Sequence, residues 1–136
     1  MAKVFSGKVL IPGDGMEEYI KMLQAAERER APFRDYLMNL ATEFHDDLLD
    51  RFTEHTANKH ASIIVLFVDF ICRYTDVQDI SEITRGMVNS HFQSWWRRKV
   101  LGPGKPEDLR RALKKFFAFL AVEKGIVNEK VRQALG

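Results

Sequence analysis

Apolar side chains recur three and four positions apart along most of this chain, and the breaks in that rhythm divide it into segments. Asp14 followed by Glu17 forms a capping-box pattern, and Met16, Tyr19, Ile20 and Leu23 then keep helical spacing, which predicts a first helix over about residues 15–29. Pro32 interrupts that rhythm, so a second helix is expected to begin after it, with Phe33, Leu37, Leu40, Ala41, Phe44 and Leu48 on one face and an acidic opposite face, reaching about residue 54. From Ala57 to Tyr74 the chain is apolar almost all round ("ASIIVLFVDFICRY"), too long for one strand and free of turn residues, which predicts a buried central helix.

"TDVQDISEI" reads as a connection, and Thr84 can cap a further helix with Val88, Phe92, Trp95 and Trp96 on its apolar face. "LGPGKP" at 101–106 breaks the chain again. Pro106, Glu107 and Asp108 make a favourable helix opening, and Gly125 suits the position just past that helix's end. A short last helix capped by Asn128, with Val131 and Leu135 on one side, completes the pattern. Residues 1–13 hold a β-prone patch at Lys8–Ile11 that suits an arm, a lone strand or a tail. The expectation is a single all-α domain, a compact bundle of five to six helices over residues 1–136. Residues 1–56 would form an arm and a two-helix extension on a core at 57–136.

Charge adds a second pattern. The net charge of +2 conceals 7 Lys/Arg against 11 Asp/Glu in residues 1–55, and 14 against 8 in residues 56–136. Taking about 100° per residue, Leu109, Leu113, Phe116, Phe117 and Leu120 of "LRRALKKFFAFLAVEKGI" share one arc, while Arg110, Arg111, Lys114 and Lys115 occupy the other side. Like charges at i, i+4 repel slightly on a bare helix, and a phosphate backbone would relieve that repulsion. "WWRRK" at 95–99 repeats the arrangement, so two basic helices are expected to line one groove, with Trp95 and Trp96 packed in the core rather than stacking on bases.

These residues also carry a family resemblance. "HASIIVLFVDFICRYTDVQDISEITRGMVNSHFQSWWRRK" followed by "LRRALKKFFAFLAVEKGIVN" resembles the core-binding, SAM-like domain of tyrosine recombinases and phage integrases, over about residues 57–128. The resemblance implies a four-helix core that clamps double-stranded DNA. Its nucleic-acid contacts would come from Lys59, His60, Arg85, Arg97, Arg98, Lys99, Arg110, Arg111, Lys114 and Lys115.

Three departures qualify what it implies. The family's catalytic domain has no counterpart, so strand cleavage is not carried over. The family's Asn-Pro after the last helix is replaced by Asn128-Glu129, as though the chain finishes its own fold. The acidic first 55 residues are outside the resemblance, and suit covering the DNA-facing surface, forming a homodimer or binding another protein.

Other chemistry is sparse. Cys72 stands alone among large apolar neighbours, which rules out an internal disulfide and fits a small core residue. Glu43, His45, Asp46, Asp47, Asp50, Glu54 and His55 crowd one helix surface, which fits a solvated acidic face better than a metal site. His91, near its helix's apolar arc, is expected to be packed. No nucleophile triad or phosphate-cradling glycine loop is present.

The expected protein is therefore cytoplasmic and non-catalytic. It needs no cofactor or small-molecule substrate, does not enter membranes, and is related to mobile-element recombination proteins that bind DNA. The alternative is a helical interaction or oligomerisation module that has lost DNA binding.

Overall fold

A computed structural model describes residue 4, residues 15–100 and residues 105–136. The described chain is an all-α bundle. Its helices are α1 (Met16–Arg51), α2 (Glu54–Tyr74), α3 (Phe92–Lys99), α4 (Pro106–Lys124) and α5 (Glu129–Leu135). A 3-10 turn at Ile80–Glu82 and a π turn at Met87–His91 join α2 to α3. The β-prone patch at 8–11, the Asp14 cap and the break at 101–104 lie outside the described residues. Val4 makes a single antiparallel bridge to Thr75.

The expected two-helix extension is one helix of 36 residues that runs straight through Pro32. Proline removes one N–H and normally disrupts a helix interior. Here its ring lies on the exposed side, where water can serve the carbonyl one turn back. On the opposite side a three-four rhythm continues through Met16, Tyr19, Leu23 and Ala26, is interrupted by Arg30, and resumes at Phe33, Leu37, Leu40 and Phe44, forming a largely apolar seam. Burial of the seam's second half against α2 outweighs the proline's local cost.

The bundle closes around α2, whose Ile63, Ile64, Phe67, Phe70 and Ile71 are all buried. Phe44 of α1 meets Phe116 and Phe119 of α4 at 5.3 and 5.6 Å between ring centres. Phe67 of α2 meets Phe92 and Phe117 edge-on at 5.1 and 6.3 Å. Aromatic rings from four helices thus form one continuous core, which fixes how the outward faces are arranged. Trp95 and Trp96 belong to this core, as expected.

Local signals act where the sequence placed them. The Thr84 hydroxyl, expected as a cap, accepts from Met87 N at 3.3 Å, whereas the helix expected to reach about residue 54 ends at Arg51, because Thr53 caps α2 by accepting from the Thr56 N–H. Gly125, at φ 66°, ends α4 in the left-handed conformation, and the Ile126 N–H returns to Leu120 O at 2.9 Å. Asn128 caps α5 through Oδ1 to Val131 N, while its Nδ2 donates to Ile80 O and Ile83 O at 2.9 and 3.0 Å. One buried side chain therefore locks the last helix to the 3-10 connection.

His91 departs from expectation, for it is exposed rather than packed. The cause is the π turn, in which the Phe92 N–H reaches back to Met87 O, five residues away. The wider turn aligns Met87 and Val88 with Phe92 in the core and swings His91 outward. There its ring lies over Gly86, where an added Cβ would meet it at 3.2 Å.

Candidate nucleic-acid interface

α2 and α4 run side by side in the same direction. Lys59 Nζ donates to Asp108 Oδ1 at 3.0 Å near their starts, and Phe67 meets Phe117 further along. This pairing gathers Lys59, His60, Arg111 and Lys115 at one end of the bundle. His60 is only 6% exposed, and its Nδ1 has no hydrogen-bond partner among the described residues. Burial lowers the His60 pKa below its usual 6.5, and the charges of Lys115, Lys59 and Arg111 lower it further, with Asp108 opposing them. Burial and the three neighbouring cations thus disfavour the imidazolium form of His60.

Each neighbour has its own support. Asp108 also accepts from the Lys105 backbone N–H at 3.3 Å, closing the start of α4, and its carboxyl is held below the usual range chiefly by the Lys59 hydrogen bond. Lys115 Nζ lies 5.0 Å from the centre of the Phe52 ring at the α1–α2 junction. Arg111 is exposed and has no ion-pair partner among the described residues. The set has one carboxylate against three cations, and that carboxylate is already engaged by Lys59.

The four cations expected on one face of α4 divide between two sides. Arg111 and Lys115 turn toward the α2 start. Arg110 Nη2 donates to Ala134 O at 2.9 Å, tying down a carbonyl at the end of α5, and Lys114 borders a hollow with Glu129, Arg132 and Gln133. Arg110 is therefore a structural tie before it is a contact for any ligand.

The expected single groove between two basic helices is not formed. Trp95 packs on Phe70 and Tyr74, at 5.7 and 5.8 Å, near the far end of α2. Tyr74 is about 22 Å along the helix axis from Lys59, at 1.5 Å per residue. The exposed Arg97, Arg98 and Lys99 follow Trp95 within one turn, and so form a second patch; Arg98 Nε is held by Ser94 O of its own helix at 3.2 Å. Arg85, also exposed, stands where the segment carrying the π turn begins.

Among the described residues no ion pair joins the acidic second half of α1 to Lys59, Arg111 or Lys115, although Asp47 lines a hollow with Lys115. Glu43 pairs with Lys124 at 2.7 Å and Asp47 with Arg51 of its own helix, while His45 Nε2 is 2.7 Å from Asn58 Oδ1. Among the described residues no group of three or more His, Cys, Asp or Glu converges as metal ligands would. Cys72 is buried, and burial raises its thiol pKa. Among the described residues no helix is long and apolar enough to cross a membrane.

Sequence reasoning missed Phe52, because its role depends on where α4 lies against the α1–α2 turn. It also missed that Asp108 organises the cluster, since a first-turn acid reads simply as a helix-dipole partner. No family model, curated protein or solved structure matches the chain.

Proposed function

We propose that this protein is a non-catalytic DNA-binding protein that grips the phosphate backbone through the cationic cluster over His60. The reading keeps the likeness to integrase core-binding domains at the level of its sequence motifs. The observation that carries it is the meeting of Lys59, Arg111 and Lys115, from two helices, around a buried histidine with one unpartnered nitrogen. Holding like charges together is unfavourable without an anion, and a phosphate between Arg111 and Lys115 converts that repulsion into charge-assisted hydrogen bonds. The patch of Arg97, Arg98 and Lys99, about 22 Å away along the α2 axis, suits a second stretch of backbone rather than the same groove.

The test is titration of labelled duplex DNA at two salt concentrations. Arg111→Glu with Lys115→Glu is expected to weaken binding about tenfold or more and to reduce the salt dependence by about two phosphate contacts. Addition of DNA to the wild type is expected to raise the His60 pKa, because a phosphate offsets the lysine charges that lower it. No binding at low salt, or unchanged affinity in the double variant, rejects the proposal.

A further inference from the structure

The seam that packs α1 on α2 does not stop where α2 stops. Arg30 donates to the carbonyls of Ile71 and Cys72 at 3.3 and 3.4 Å, marking the level at which α2 ends. Beyond it, where the end of α2, Cys72–Tyr74, shares a hollow with Leu23 and Ala26, the first half of α1 continues for about 21 Å. Its apolar side chains stay bare: Met16 is 55% exposed, Ile20 45%, Met22 66% and Leu23 46%. A helix this short and this apolar on one side gains little stability from propensity alone, so its exposed stripe is a surface for association.

We infer that two copies of this chain pair through the first halves of their α1 helices, antiparallel, with the two-fold axis near Leu23. In this arrangement the partner's helix takes, along the first half of α1, the place that α2 holds along the second. A two-fold interface must be self-complementary, and the two ends of this surface complement each other. The tip carries Met16, Tyr19 and Ile20 with Glu17 and Glu18. The base is a hollow of about 320 Å³ in which Leu23, Ala26, Cys72 and Tyr74 supply apolar lining.

Around that hollow stand Arg30, Arg34 and Arg73, with Glu27 as the lining acid and Asp69 holding Arg73 at 2.9 Å. Antiparallel pairing about Leu23 sets Met16 of one copy level with Arg30 of the other, so two glutamates meet a net cationic base twice. Parallel pairing would set Glu17 and Glu18 against themselves. The pairing stands on its own observations, whether or not the cluster over His60 meets DNA.

Sedimentation velocity and light scattering on the full chain, from about 1 μM to about 1 mM, test it. The wild type is expected to pass from monomer to dimer within that range. Leu23→Glu, with unchanged helical circular dichroism, is expected to stay monomeric. Glu17→Arg with Glu18→Arg is expected to weaken dimerisation several-fold at low salt. Leu23→Cys is expected to give a disulfide-linked dimer with oxidised glutathione, which the wild type, with its buried Cys72, does not.

A wild type that stays monomeric throughout overturns the inference, and points to residues 5–14 of the same chain or a different partner as the cover. A dimer that survives Leu23→Glu overturns it as well, since the interface then lies elsewhere.

Discussion

Leu23 and Leu40 stand on the same three-four repeat of one helix, yet Leu40 is 5% exposed and Leu23 46%. The repeat is a property of the local sequence. Burial of the repeat requires a second element of matching length, and α2 ends at Tyr74, opposite the middle of α1. The second half of α1 is accordingly part of the aromatic core, with Phe44 fully buried between Phe116 and Phe119. The first half is an amphipathic helix whose Met16, Ile20 and Leu23 are largely exposed. One helix thus serves two purposes, core wall and exposed surface, and the amphipathic pattern alone does not tell them apart.

The sharpest way to expose this contrast is to remove side chains from each half. Phe44→Ala is expected to lower the unfolding free energy by about 3–5 kcal/mol, because it empties a site enclosed by two other rings; chemical denaturation measures it. Pro32→Ala, at the boundary between the halves, is expected to act in the opposite direction. Restoring the missing N–H strengthens the helix by about 1–2 kcal/mol after the proline's unfolded-state advantage is subtracted. The gain should appear in hydrogen exchange as slower amides across residues 16–31; if those amides are unchanged, Pro32 does not weaken the first half of α1.

The smallest effect is expected from Leu23→Ala, which should change monomer stability by less than about 0.5 kcal/mol when measured at low concentration. A loss comparable with that of Phe44→Ala would show that Leu23 is buried in the monomer and would erase the difference between the two halves.

Much of the fold was legible because its signals are local. Thr84, Asn128, Gly125 and Pro106 act through hydrogen bonds and backbone angles within a few residues of themselves, and each marks the end of an element as its chemistry dictates. The separation of Leu109, Leu113, Phe116, Phe117 and Leu120 from the cations of α4 followed from helical geometry in the same way. Pro32 misled because its penalty is local while the burial that overrides it is not. His91 misled because a fixed 100° step fails across a π turn, and nothing in "GMVNSHF" announces the extra residue.

The candidate site was legible only in its ingredients. Its cations were visible in the sequence, but the grouping was not. Arg111 and Lys115 join Lys59 over His60, Arg110 turns away to hold α5, and Arg97 to Lys99 belong to the far end of α2. These assignments depend on which helix lies beside which, a matter of ring packing in the core.

By itself, then, the sequence determined the helices, most of their ends and the face each would bury, since periodicity, caps and turn residues act over distances of one helical turn. Tertiary structure alone decided that α1 is unbroken and that its first half is largely exposed. It also decided that one groove becomes two patches and that His60 is a buried group among cations. The physical reason is common to all four: burial and electrostatic environment are set by neighbours dozens of residues away, and no local pattern encodes where those neighbours will stand.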